Sequence, residues 1–354
     1  MASKGLTVAV TGASGYLGGR LVEELCSNQD VGRVLGFDTR ASGFSHPSYV
    51  FDPLDVRDEA LAARLEGIDV VVHLAFIMDP IHDEKTMHDV NVNGSQNVFR
   101  CAGKAGVPKI VYTSSAVAYG AHPNNPAMLT EDSPLRANLD FSYAAHKLEV
   151  EYVAREFADE FPNVQMTIFR PAIVFGPGVD NAWSHLFETP FFLAIKGYDT
   201  KLQFVHEDDV LAALGRAVFE DLPGPYNLAP DGWLELPEML SIVGRKRLDI
   251  PENVAFPAME RLWDMGLSEG PAGMVHYGMH PWLVDNSKLK ATGFAFRYGN
   301  REAFAASADK LRSVVRIGSK RLQRSDLRRG GLTGLGVVGA LLAARTLRRS
   351  LSRG

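Results

Sequence analysis

The stretch that most constrains this chain is its first strand and the turn that follows. Leu6-Thr7-Val8-Ala9-Val10-Thr11 is a short apolar run rich in β-branched residues, which reads as a buried strand. Gly12-Ala13-Ser14-Gly15-Tyr16-Leu17-Gly18 follows directly, and a helix is expected over 19–27. Strand, glycine turn and helix start in that order form a diphosphate cradle. Gly12 permits the tight turn, Gly15 lets the backbone approach the phosphates, and Gly18 lets helix and strand pack closely. The helix N-terminus offers free N–H groups and partial positive charge to an anion.

The next strand, 33–37, ends at Asp38, 20 residues beyond Gly18. An acid at that spacing hydrogen-bonds the adenosine ribose and repels a 2′-phosphate, so NAD is expected over NADP. Arg40 is nearby and reads as a solvated loop cation. Further apolar runs at 69–75, 109–115 and 165–170 suit strands buried on both faces of a parallel sheet. Helices are expected at 59–65, 93–106 and 143–160. The fold class is therefore α/β, a doubly wound parallel sheet of Rossmann type with a smaller mixed region after it. Residues 1–178 are assigned to the nucleotide domain and 179–315 to the substrate region, with some elements of the latter returning to the former.

Composition narrows the function. A hydrophobic fraction of 46% and a net charge of −5 fit a globular protein with no nucleic-acid partner. Cys26 and Cys101, the two cysteines, fall in expected helices with neither CxxC nor metal-like spacing. No disulfide framework, no metal and a reducing, cytoplasmic setting are expected. Met-Ala-Ser-Lys runs straight into a strand, so no signal peptide is expected. His73 reads as a buried, hydrogen-bonded structural residue. His206-Glu207-Asp208-Asp209 reads as a helix start capped by Asp208 or Asp209 rather than as a ligand cluster.

Tyr143-Ala144-Ala145-His146-Lys147 places a phenol and an ammonium one helical turn apart. Strand 109–115 ends in Thr113, Ser114 and Ser115, where an open α/β sheet binds ligands. A free tyrosine has a pKa of about 10. A neighbouring ammonium and a positive nicotinamide ring would both favour phenolate. Tyr143 is thus the candidate acid/base, Lys147 its electrostatic support and Ser115 the hydroxyl that positions a substrate oxygen.

Taken together, residues 5–300 resemble the extended short-chain dehydrogenases/reductases, the NAD-dependent epimerase/dehydratase family. The resemblance rests on TGxxGxxG, the Ser-Ser-x-x-x-Tyr-Gly pattern ending at Tyr119-Gly120, the Tyr143/Lys147 pair, and Arg170-Pro171-Ala172-Ile173-Val174-Phe175-Gly176-Pro177-Gly178. It implies that Ser14, Tyr16 and Leu17 join the three glycines around the cofactor. It places Asp55 and Val56 against adenine, and Leu74, Ala75 and Phe76 beside phosphates and ribose. Thr113 joins the cofactor pocket, Lys147 holds the nicotinamide ribose, and Pro171 and Ile173 lie along the nicotinamide. Alignment on Tyr119-Gly120 selects Ser115 as the catalytic hydroxyl, with Ser114 as runner-up. Asn91 matches the family's Asn-x-x-Gly-Thr segment, as a polar residue near the active centre or a packing residue. A homodimer through the 93–106 and 143–160 helices is a further implication.

The expected reaction is hydride transfer between nicotinamide and a secondary alcohol or ketone. The alternatives are a nucleotide-sugar epimerase or dehydratase and a non-catalytic NAD-binding regulator. The segment after Arg170 lacks the Asn usual near a sugar diphosphate, and Lys201-Leu202-Gln203-Phe204 lacks a usual Arg. The Arg170–Gly178 segment looks closer to the 3-beta-hydroxysteroid dehydrogenase and dihydroflavonol reductase-like branch. Trp183, Phe187, Phe192, Met274 and Trp282 suggest a small-molecule substrate of apolar character. Residues 316–354 read as a tail dispensable for folding: arginines and lysines flank an apolar run at 331–344. That pattern suits peripheral contact with an anionic membrane rather than a span.

Overall fold

In the computed structural model, residues 5–317 and 320–329 are described. Seven strands form one parallel sheet: β1 (Leu6–Thr11), β2 (Val31–Asp38), β3 (Tyr49–Pro53), β4 (Val70–His73), β5 (Lys109–Thr113), β6 (Gln165–Pro171) and β7 (Gly224–Leu228). Their order is β7-β6-β5-β4-β1-β2-β3. The chain winds outward from β1 in one direction and from β4 in the other, so the sheet is doubly wound. The switch point lies between β1 and β4, whose carboxyl ends open the crevice where such sheets bind ligands.

Alternation along the strands builds a core on each face. Val8, Val10, Val70, Val72 and Val111 pack with Leu21 and Leu25 of α1 (Tyr16–Cys26). Ala9, Val71, Ile110 and Tyr112 point the other way, against Phe99 of α2 (Gly94–Lys104) and Val150 and Phe157 of α3 (Ser142–Glu160). Burial on both faces explains why these strands read as continuous apolar runs.

The second half supplies smaller pieces. Ile173–Phe175 pairs with Phe204–His206 in parallel, and Phe191–Ile195 pairs with Lys246–Ile250. β7 then returns to the main sheet beside β6. A third apolar core around Phe175, Phe187, Phe204, Tyr277, Trp282 and Phe304 joins this half to the carboxyl edge of the sheet.

Several local expectations are corrected. α1 begins at Tyr16, three residues early, because extended Gly15 is the N-cap. A π-helical turn at Asp89–Asn93 precedes α2. The helix Glu207–Phe219, α4, is capped by neither Asp208 nor Asp209. His206 is the N-cap, its Nδ1 accepting from Asp208 N at 3.1 Å. Asp209 instead receives the N–H groups of Arg297 and Tyr298, and Asp208 receives Arg20. Both carboxylates are drawn off by tertiary partners.

Residues 316–323 are more than tail. Val314–Ile317 and Lys320–Gln323 form an antiparallel hairpin, followed by a short helix at Arg324–Arg329. Arg316 and Arg321 both reach Glu188, which is fully buried. The apolar run 331–344 lies outside the described residues. Among the described residues, no helix is long and apolar enough to cross a membrane.

Candidate active site

The glycine turn sits at the carboxyl end of β1. Gly12 has φ +71°, and a Cβ there would lie 2.7 Å from Ala75 N. A Cβ at Gly18 would lie 2.0 Å from the Gly12 carbonyl oxygen. Neither position admits a side chain, and no side chain caps α1, so its first N–H groups face the crevice. Tyr16 is partly exposed and lies against Gly178, whereas Leu17 packs into the core.

Asp38 ends β2 beside this turn. One carboxylate oxygen accepts from Ser14 N at 3.1 Å, the other from Arg40 N at 3.0 Å. The Arg40 side chain is 77% exposed and stands 4.0 Å from the carboxylate. The acid, not the cation, is held in place. Asp55 is gripped by Arg57 through both oxygens, which holds its carboxyl below the usual range, and Arg57 also reaches Asp89. Val56 is buried, its carbonyl accepting from Asn97.

Three elements converge on the Tyr143 side. Ser115 follows β5 and is the N-cap of a short 3-10 turn, Oγ accepting from Val117 N. Its hydroxyl also acts on the Tyr143 phenol, favouring the ionised form. Lys147, one turn along α3, donates to the Thr113 carbonyl at 2.8 Å and to Tyr112 Oη at 3.4 Å. Ser114 does not share this placement with Ser115; its buried Oγ is without a partner among the described residues, like Oγ1 of Thr113.

The electrostatics differ from expectation. Burial pushes the Tyr143 phenol up to about 12, opposed by Ser115 and reinforced by Asp79. Burial pushes the Lys147 ammonium down to about 7, with Glu151 pulling the other way. In the protein alone, desolvation therefore outweighs any lowering of Tyr143 by Lys147. Each group is buried within 10% of full and starts at the uncharged side of its ordinary range.

Sequence reasoning gave Glu151 no site role, and it gave Phe76, Asn91 and Arg170 none in supporting Tyr143 or Lys147. Phe76 lays its ring face 3.5 Å from Lys147 Nζ and meets Tyr143 edge-on at 5.8 Å. Asn91, fully buried in the π turn, accepts from Ile77 N at 2.7 Å and donates to Ile77 O at 3.0 Å, fixing the segment that carries Phe76. Glu151 takes a two-pronged bond from Arg170 at 2.8 Å on each oxygen. Arg170 also donates to Tyr119 Oη, which donates to Asn227. Glu151 lies one turn past Lys147 on the same face of α3, and that spacing was the signal available in the sequence. His73 is buried, bonded to Thr11 and Ser95 as a structural residue, and burial pushes it down to about 3.

Pro171 and Ile173 are buried where β6 leaves the sheet, Ile173 N donating to Gln203 O. The crevice thus carries a glycine cradle, free helix N–H groups, the Asp38 carboxylate, an orphaned Thr113 hydroxyl and a buried Lys147. That donor set fits a dinucleotide. Among the described residues, no group of His, Cys, Asp and Glu could hold a metal ion.

Comparison with known proteins agrees. The NAD dependent epimerase/dehydratase family matches residues 8–229. An uncharacterized protein of Mycobacterium tuberculosis is 31% identical over 253 residues, 69% of this chain and 67% of its own length. The N-acetyl-alpha-D-glucosaminyl-diphospho-ditrans,octacis-undecaprenol 4-epimerase of Escherichia coli O157:H7 is 34% identical over 172 residues, 48% of this chain and 49% of its own. The crystal structure of UDP-glucuronic acid 4-epimerase from Bacillus cereus in complex with NAD superposes with a TM-score of 0.67. It is 17% identical, over 86% of this chain and 98% of that one.

Proposed function

The chain belongs to the NAD dependent epimerase/dehydratase family, and from that premise we propose that it is an oxidoreductase using Ser115, Tyr143 and Lys147 on a secondary alcohol or ketone. It is an enzyme of an NAD-dependent family. The observation that carries the reading is the convergence of buried Ser115, just after β5, with buried Tyr143 and Lys147 one turn apart on α3, Lys147 donating to the Thr113 carbonyl at 2.8 Å.

NAD, when bound, would supply the hydride acceptor and a positively charged ring. The chain's own residues handle the proton. Ser115 holds the substrate oxygen toward Tyr143. In the oxidative direction the phenolate takes the hydroxyl proton as the carbon–hydrogen bond yields its electron pair, leaving a ketone. Lys147 would hold the nicotinamide ribose and stabilise the phenolate, and the same groups would reverse their roles for reduction. Gly12, Ser14, Gly15, Tyr16, Leu17 and Gly18 would cradle the diphosphate. Asp38 would take the ribose, Asp55 and Val56 the adenine, Leu74 to Phe76 and Thr113 the cofactor's middle, and Pro171 and Ile173 the nicotinamide.

A second reading, a nucleotide-sugar epimerase or dehydratase, is favoured by the Escherichia coli relative and the Bacillus cereus structure, both epimerases by name. Either reading assigns residues 1–178 with the returning β7 to the cofactor and the rest of 179–315 to the substrate. Pairing of two copies through α2 and α3 would bury Tyr152, 45% exposed on α3. A cytoplasmic setting fits two buried cysteines not joined in a disulfide. Peripheral contact with an anionic membrane would fall to the apolar run 331–344 and its basic flanks.

Replacing Tyr143 by Phe tests the mechanism. NAD affinity should stay within about twofold, while turnover should fall by the ~10²–10⁴-fold a positioned proton transfer contributes. Turnover that survives the change would overturn the assignment of Tyr143 under both readings.

A further inference from the structure

A cavity of about 210 Å³ lies in the second half of the molecule, beneath the helix Glu252–Asp264, here α5. Its wall is almost wholly hydrocarbon: Trp183, Phe187 and Phe192 on one side, Ala258, Met259 and Leu262 of α5 on the other. Tyr277 is part of the wall as well, and between it and Tyr143 stands the buried ring of Phe141. The Tyr277 ring meets Phe141 at 5.7 Å, and Phe141 meets Tyr143 at 5.7 Å. Trp183 meets Tyr277 edge-on and stacks on Trp282, and the N–H of the preceding Ala182 donates at 2.9 Å to Asp79, whose charge acts on Tyr143.

The charged groups on the wall are His185, Glu269 and Arg316. The two cations are already taken. His185 is bonded to Glu269 at 2.9 Å and to Asp180 at 3.0 Å. Arg316 is bonded to Glu188 at 3.1 Å and to Glu269 at 3.0 Å. With Arg321 on Glu188, the cations His185, Arg316 and Arg321 face the carboxylates Asp180, Glu188 and Glu269, and the nearby Arg245, which donates to the Phe187 and Glu188 carbonyls, is not part of the wall. A diphosphate needs unpaired guanidinium or ammonium donors. Bringing one here would break buried ion pairs or leave its own charge uncompensated.

Resting on the oxidoreductase reading, we propose that this cavity is the subsite for the substrate's body, and that the substrate is a neutral, hydrocarbon-rich secondary alcohol or ketone rather than a nucleotide diphospho-sugar. The reactive carbon would sit at Tyr143, and the apolar ring or chain would extend past Tyr277 and Trp183 under α5.

The test is equilibrium binding of 4-alkylcyclohexanones, from methyl to hexyl, to the NAD-saturated full chain by calorimetry. A ketone with oxidised cofactor cannot turn over, so only binding is read. Affinity should rise about threefold to fourfold per added methylene until the cavity is full. UDP-glucose should show no binding at millimolar concentration. Ala258→Trp, which fills the cavity, should flatten the ladder. Met259→Gln, which keeps the volume but makes the wall polar, should reduce its slope and decides the matter should Ala258→Trp not fold. A flat series in the unaltered protein, UDP-glucose binding tighter than the longest ketone, or folded variants that keep the full ladder would each overturn the proposal. Tyr143→Phe should keep the ladder, so loss of the ladder and loss of Tyr143-dependent turnover are separate failures.

Discussion

The ring face of Phe76 lies 3.5 Å from Nζ of Lys147. Two other contacts of that ammonium are the Thr113 carbonyl and the Tyr112 phenol. An aromatic face attracts a desolvated ammonium by about 0.5–2 kcal/mol, here against the burial that pulls Lys147 down to about 7. Replacing Phe76 by Leu keeps the apolar bulk and removes the ring. We expect kcat/KM to fall between twofold and about thirtyfold, the same energy range expressed as a rate, with the unfolding midpoint little moved. Unchanged kcat/KM in a folded Phe76→Leu protein would reduce the ring to filler.

Glu151 and Arg170 tie the helix carrying Tyr143 and Lys147 to β6, with both side chains 3% exposed. Burial alone would push Arg170 down, but the Glu151 carboxylate outweighs it and holds the guanidinium charged. Glu151→Leu should therefore destabilise the fold by about 3–5 kcal/mol, since it strands a buried charge. The double variant Glu151→Leu/Arg170→Met should recover most of that loss. Denaturant unfolding of the single and double variants measures both. Equal loss in single and double variants would show that no stranded charge is involved.

Asp38 is organised by two backbone N–H groups, whereas Arg40 is solvated. The unaltered chain should bind NAD more tightly than NADP, and Asp38→Ala should narrow or reverse the preference. Fluorescence titration with both reduced cofactors reads the ratio. Tighter NADP binding by the unaltered protein would give the pocket to Arg40.

The C-terminal hairpin makes a truncation series informative. Stopping the chain after Val315 removes Arg316 and Arg321 from the fully buried Glu188. That should cost about 3–5 kcal/mol, contrary to the dispensability expected from composition. Stopping after Arg329 keeps both arginines and should leave the unfolding midpoint near that of the whole chain. Thermal unfolding of the two truncations against the full chain separates them, and equal midpoints would refute the anchoring role.

What the sequence determined by itself was whatever depends on local spacing. Strand order of burial, the glycine cradle, Asp38 at the end of β2 and the Tyr143–Lys147 pair follow from periods of two and 3.6 residues and from turns only glycine can make. What only the tertiary structure decided involves partners distant in the chain. Phe76 on Lys147, Asn91 on Ile77, Arg170 on Glu151 and the arginines of the hairpin on Glu188 carry no local signature, because each contact exists only after the sheet edge and the second half have packed. The capping of α4 shows the same limit in miniature. Asp208 and Asp209 have the composition of caps, yet Arg20 and the Arg297–Tyr298 backbone claim them, and His206 takes the position. The ionisation of Tyr143 and Lys147 was likewise beyond spacing: desolvation depends on what covers a group, and the covering residues come from every part of the fold.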